Sequence, residues 1–121
     1  KGLEAFFRGE LYRRMRRSKE LRREMRFSVQ AEASLFREGA EGTVLLQGVI
    51  DCFFRDENGR LHIVDYKTDR VEDPTELLER HKKQLELYAV AVEKITGCTV
   101  KQTSIWSFYK NQEIVFSGFL R

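Results

Sequence analysis

An α/β (α+β) domain with its elements in the order αβββαββ around one sheet is predicted by three features of the sequence. Residues 75–95 carry the clear period of a long helix, and this helix separates three β-rich runs from two. The two middle runs are apolar on both faces, as central strands covered on both sides are. The chain has 121 residues, of which 41% are hydrophobic, enough for one domain with a real core but not for two.

The elements follow in order. Residues 3–17, LEAFFRGELYRRMRR, place Leu3, Phe6, Phe7, Leu11 and Met15 at helical spacing with arginines on the other side. Residues 22–36 alternate loosely through Met25, Phe27, Val29 and Ala31 and read as a strand, and REGAEG at 37–42 is a loop. TVLLQGVIDCFFRD (43–56) and RLHIVDYKTD (60–69) are β-rich runs divided by ENG. Pro74 and Thr75 stand near the start of the long helix, and Gly97 is its stop signal. TVKQTSIWSFY (99–109) and EIVFSGFL (113–120) are two further strands around KNQ. There are no repeats, linkers or low-complexity segments.

With 34% charged residues the chain reads as globular rather than disordered. No apolar run approaches a membrane span, and no signal peptide is visible. Cys52 and Cys98 stand apart with no C-x-x-C or Cys/His cluster, which fits two reduced thiols in a cytoplasmic domain. The chain begins at Lys1 and runs straight into a helical pattern, as a piece of a longer protein does. The net charge of +3 is uneven: residues 8–26 alone hold nine Lys/Arg against three Glu. Such a block serves equally as a phosphate-binding surface or as a solvated helix face.

Asp51, Asp65 and Lys67 interrupt the two apolar middle strands. The pattern assigns Val49, Phe53 and Ile63 to one face, and Ile50, Cys52, Phe54 and Val64 to the other. Register decides what the charges do. If Asn58-Gly59 alone formed a two-residue turn, Asp51 would pair with Tyr66 and lie on the face opposite Asp65. If Glu57-Asn58-Gly59 is a three-residue loop with Gly59 left-handed, Asp56 pairs with Arg60 and Asp51 faces Asp65. The second register sets Phe53 against Ile63 and fits the apolar pattern better. It brings the two carboxylates onto one face with Cβ atoms about 5 Å apart, and Lys67 follows on that face.

Two carboxylates this close must share a proton, find cations or bind a metal. Hard oxygen ligands suit Mg²⁺, and a neighbouring lysine can position a water, so the trio has the parts for phosphodiester hydrolysis. The competing reading is a structural Asp–Lys pair at a strand end with Asp51 merely solvated. GVID followed at hairpin distance by VDYK favours the functional one.

QGVIDCFF, LHIVDYKTDRV and HKKQLELYAVAV together resemble the RecB-like nuclease family of the PD-(D/E)xK superfamily. The chain is most similar to the C-terminal nuclease domain of AddA-type helicase–nucleases. The resemblance implies a restriction-endonuclease-like mixed central sheet flanked by helices. It makes Asp51 and Asp65 metal-binding acids and Lys67 the catalytic lysine, with the Tyr66 backbone carbonyl as a further ligand of Mg²⁺ or Mn²⁺. Gln84 and Tyr88 match the family's Q-x-x-x-Y and face the active site; simple packing on the sheet is the competing role for Tyr88. The family's further ligand, a histidine on an N-terminal helix, matches neither His62, placed on the face opposite Asp65, nor His81 on the late helix. That implies a C-terminal fragment, 1–121, of a larger helicase–nuclease without its N-terminal helix, weak or inactive alone. Glu24 is a lesser candidate acid, ranked below an ordinary strand-surface glutamate.

The family context implies DNA as substrate, a single strand fed from an unwound duplex during end processing for recombinational repair. It also implies an ATP-driven motor and an AddB-type partner; no G-x-x-x-x-G-K-[ST] occurs here. Two other classes stand beside this one: a non-catalytic DNA-binding or docking module keeping the fold, and an unrelated metal-dependent hydrolase of small phosphate esters.

Overall fold

Five strands form one sheet whose spatial order is also their chain order. The structure, a computed structural model, describes residues 2–116. Two short helices, α1 (Gly2–Arg8) and α2 (Glu10–Arg16), precede strand β1 (Glu20–Glu32). A single 3₁₀ turn, Ala33–Leu35, leads towards β2 (Thr43–Arg55), and β3 (Leu61–Lys67) follows. The long helix α3 (Pro74–Thr96) then crosses to β4 (Val100–Ser107) and β5 (Gln112–Phe116). All neighbours are antiparallel except β3 and β4, which are parallel. A parallel pair needs a crossover, and α3 is that connection. The mixed sheet flanked by helices is thus the predicted architecture.

Helix α3 is bounded as the sequence indicates. Asp73 caps it, its Oδ1 accepting from the Thr75 N–H at 3.0 Å, Pro74 opens the first turn and Gly97 ends it. Its buried residues cover one face of the sheet. Tyr88, Ala89 and Val92 pack with Phe27, Leu46, Ile50, Phe53 and Ile63, while Leu77 and Leu85 pack with Ile105 and Ile114. The opposite face is covered by Phe6, Leu11 and Met15 of α1 and α2, against Cys52, Phe54, Val64 and Trp106. The β2–β3 pair is therefore buried on both sides.

Three expectations need correction. The helix expected over 3–17 breaks at Gly9, whose backbone is extended (φ −80°, ψ 164°). The break lets Phe6 and Leu11 reach the same sheet face, and it leaves Leu3 and Phe7 more than half exposed. The first strand runs from Glu20 to Glu32 rather than over 22–36, because the chain turns into the 3₁₀ segment. The strand expected over 113–120 lies partly outside the described residues; its described part belongs to β5.

The third correction concerns faces. Ile50 packs on the α3 side and Cys52 on the α1/α2 side, although they are two residues apart in one strand. Val49, expected beside Phe53, is 38% exposed. The period-2 alternation shifts at Asp51. Across from it, between the Arg23–Cys52 and Met25–Ile50 pairs, stands Glu24 with φ 50°. A non-glycine residue in the left-handed region turns the strand as a bulge does, so the two strands change faces together.

Candidate active site

The β2–β3 hairpin fixes the acids. Asp56 and Arg60 close it, with the Asp56 N–H donating to the Arg60 carbonyl at 2.9 Å. The Asp56 carboxylate accepts from the N–H groups of Asn58 and Arg60. Gly59 has φ 81°, a conformation that glycine adopts without cost. The three-residue loop sets Phe53 against Ile63 and Cys52 against Val64. One step further along, Asp51 comes opposite Asp65, and the two side chains are close enough to hydrogen-bond. The register inferred from the apolar pattern is the one present.

Asp65 is 3% exposed. Burial first, then the Asp51 carboxyl, pushes its acid up to about 7, against the pull of Lys67. The Lys67 ammonium lies 2.9 Å from Asp65 Oδ2 and donates to Gln84 Oε1 at 3.0 Å. Asp51 Oδ2 accepts the backbone N–H of Tyr66 at 2.9 Å. Asp51, Asp65, Lys67 and Gln84 are therefore gathered between the end of β3 and α3.

Tyr88 lies one turn beyond Gln84 on the same helix face. Burial, then the charges of Asp65 and Asp51, push the pKa of its phenol up and keep it protonated. Its ring also meets Phe27 edge-on, with centroids 5.9 Å apart, so it is both a packing residue and a neighbour of the acids. The Tyr66 side chain points to the other face. There it meets Phe6 edge-on at 5.6 Å and anchors the segment between Asp65 and Lys67.

A divalent ion suits these donors. Asp65 Oδ2 is buried and receives no aligned hydrogen bond, although the lysine charge is beside it. Two adjacent hard oxygen donors are what Mg²⁺ or Mn²⁺ requires. Among the described residues no cluster of three or more His, Cys, Asp or Glu side chains forms a metal cage. The side-chain ligands on offer are thus Asp51 and Asp65.

Other residues considered from the sequence fall as follows. His62 is on the opposite face, stacked on Phe54 at 4.7 Å, with Nε2 2.9 Å from Asp56 Oδ2. Glu24 is exposed but sits across the strand from Asp51. In the basic block, Arg13 and Arg17 pair with Glu10, Arg14 with Glu113 and Arg22 with Glu20. His81 is not near the two acids as a ligand. Its Nε2 lies 3.0 Å from Asp69 Oδ2, which also accepts from Arg80 Nη1 at 2.9 Å. Sequence reasoning missed this Asp69–Arg80–His81 cluster. The one signal was spacing, since His81 stands three residues before Gln84 on one helical face.

Comparison with known proteins agrees with this geometry. The family described as the PD-(D/E)XK nuclease superfamily matches residues 2–116. A Thermoanaerobacter sp. (strain X514) protein, by name the A subunit of an ATP-dependent helicase/nuclease, is 40% identical over 114 residues, covering 88% of this chain and 9% of that protein. Proteins of the same name from Clostridium botulinum (strain 657 / Type Ba4) and Clostridium kluyveri (strain ATCC 8527 / DSM 555 / NBRC 12016 / NCIMB 10680 / K1) are 39% and 38% identical. They are matched over 85% and 88% of this chain and over 8% and 9% of their own lengths. The chain thus spans less than a tenth of the length of these relatives. A fold with two flanked central strands, a hairpin that sets one acid against another, and a family match across nearly every described residue converge on one assignment: the chain belongs to the PD-(D/E)XK nuclease superfamily.

Proposed function

We propose that this chain is the nuclease domain of a helicase–nuclease, hydrolysing DNA phosphodiesters with a divalent metal, Mg²⁺ or Mn²⁺. The observation that carries the reading is the Lys67 ammonium held between Asp65 and Gln84, beside the facing Asp51 and Asp65. In this reading Asp51, Asp65 and the Tyr66 carbonyl hold the metal. When bound, the ion supplies positive charge to the phosphate oxygens and makes a bound water more acidic.

The chain's own groups do the rest. Hydrolysis joins a water oxygen to phosphorus and breaks one P–O ester bond, while a proton passes from the water to the departing oxygen. Lys67 has three N–H bonds; Asp65 and Gln84 engage two sides of its head, and a third donor is left for the phosphate or the attacking water. Gln84 fixes the ammonium's direction, and Tyr88 supplies a protonated hydroxyl at the rim of the acids. Positioned charge of this kind is the largest contribution a protein makes to phosphoryl chemistry.

The names of the relatives support a wider setting for the same reading. The domain would act on a single strand delivered by an attached ATP-driven helicase, with an AddB-type protein as partner, in end processing for recombinational repair. The test is cleavage of labelled single-stranded DNA by the protein that carries this domain. Cleavage is expected to need Mg²⁺ or Mn²⁺ and to disappear in Asp65→Ala and Lys67→Ala, with strand unwinding kept. Undiminished cleavage in excess chelator, or full cleavage by Asp65→Ala, would overturn the mechanism. DNA binding without any cleavage would favour the non-catalytic module.

A further inference from the structure

A second polar cluster extends the site along α3. Asp69 lies two residues past Lys67, in the connection to the helix, and its single oxygen Oδ2 receives both Arg80 Nη1 and His81 Nε2. His81, and then Arg80, hold the Asp69 carboxyl below the usual range, so it stays an anion that aligns both donors. His81 precedes Gln84 by three residues, about 4.5 Å along the helix axis, and lies on the same face. The cluster is therefore the immediate neighbour of the Lys67–Gln84 pair.

Stability alone is a weak reason for the arrangement. Arg80 is 44% exposed at its side chain and is shared between Asp69 and Glu76, its Nη2 lying 3.2 Å from Glu76 Oε2. Exposed pairs of this kind add at most about 1 kcal/mol. What the arrangement does is fix direction. Each terminal guanidinium nitrogen spends one hydrogen on an acid and keeps another, and this planar fork matches two phosphate oxygens. With Nε2 of His81 turned to Asp69, the second ring nitrogen, Nδ1, is left for a ligand.

We propose that Arg80 and His81, aligned by Asp69, form a seat for a backbone phosphate of the nucleic-acid strand, next to the phosphate that is cleaved. Arg80 and His81 contact the substrate; Asp69 is a positioning residue that acts through them. The inference rests on the nuclease reading for the identity of the strand, but the seat itself is tested without cleavage. A phosphate inside the strand and a terminal phosphate present the same oxygens, so 5′-phosphorylated and 5′-hydroxyl oligonucleotides distinguish them.

The experiment is fluorescence anisotropy of a labelled oligothymidylate with the full 121-residue chain in chelator, across a series of salt concentrations. Arg80→Gln is expected to weaken binding about five- to tenfold. It should also flatten the slope of log affinity against log salt by about 0.7, one phosphate contact on a single strand. Arg80→Lys should restore the slope and only part of the affinity, because it keeps the charge and loses the fork. His81→Phe and Asp69→Asn should weaken binding less. A greater loss with the 5′-phosphorylated strand assigns the seat to a terminal phosphate, and equal losses assign it to an internal one. If Arg80→Gln lowers the melting temperature but leaves affinity and slope unchanged, the cluster is structural and the proposal fails. If Arg80→Gln does not fold, Arg80→Lys with unchanged affinity overturns it. In cleavage assays KM should rise more than kcat falls. An active enzyme whose Arg80→Gln variant binds normally sinks this inference alone; absence of cleavage with the binding effect intact sinks only the nuclease reading.

Discussion

Lys67 Nζ donates to Gln84 Oε1 at 3.0 Å, so the ammonium at the end of β3 is tethered to the helix that crosses over to the neighbouring parallel strand. The tether faces the ion pair with Asp65, and between them the two contacts fix where the positive charge points. Replacing Gln84 by Met keeps the helix and most of the side-chain volume but removes the acceptor. Single-turnover cleavage is expected to slow about tenfold, the worth of one hydrogen bond to a charged group, with substrate affinity little changed. A rate equal to the parent's would show that Asp65 alone orients the lysine.

Asp65 links pH to stability. Its folded value of about 7 is above the ordinary carboxyl value of 3.8. The folded state therefore holds this proton more tightly than the unfolded chain does. Between those two values the native state binds more protons, so this group's contribution falls as pH rises from about 4 to 7 and stays lost above that. Asp65→Asn removes the penalty. In metal-free buffer at pH 8 the variant is expected to be more stable than the parent by about 1–3 kcal/mol, with the gap closing near pH 4. Denaturant titrations across that range check it; a gap independent of pH would contradict the shift.

Gly48 passes close under a ring. A Cβ added there would meet Phe27 Cζ at 3.0 Å and Tyr88 Cε1 at 3.6 Å. Gly48→Ala is expected to cost about 1–2 kcal/mol by overpacking, and to slow cleavage by displacing Tyr88. Phe27→Leu in the same protein should recover much of the loss, which a double-mutant cycle measures as coupling.

Gly59 sets the register of the acids. At φ 81° a side chain is strained, although nothing stands within 4 Å to clash with it. Gly59→Val is expected to destabilise by about 1–3 kcal/mol through backbone strain alone. Gly59→Asn, which tolerates the left-handed region, should cost less. Equal melting temperatures for the three proteins would show that the loop has relaxed to another turn.

The acid pair was legible because a hairpin is local. The residues between Asp51 and Asp65 contain their own turn chemistry, and one apolar match, Phe53 with Ile63, selects the register. Helix α3 was legible from its period and its caps. The break at Gly9 was not, because a helical apolar spacing continues across it, and only packing on the sheet separates the two pieces. Nor was the change of faces at Ile50 and Cys52 legible, since it depends on the left-handed Glu24 in the neighbouring strand. The Asp69–Arg80–His81 cluster joins a loop to a helix, and single-sequence spacing fixes only the helical half of it.

The parallel β3–β4 pairing has a consequence for the order in which the molecule is made. Two carboxylates joined by a three-residue loop meet at little cost in chain entropy. Strand β4 can pair with β3 only after the whole 23-residue helix has formed and returned the chain, a slower and less local event. Pulse-labelled hydrogen exchange during refolding is expected to protect the hairpin amides, including the Tyr66 N–H held by Asp51, before those of β4. On the nascent chain the acid pair is then an early intermediate and the tethered lysine a late one. A lesion in β4 or β5 would arrest the protein with its anions assembled and its ammonium still unaimed.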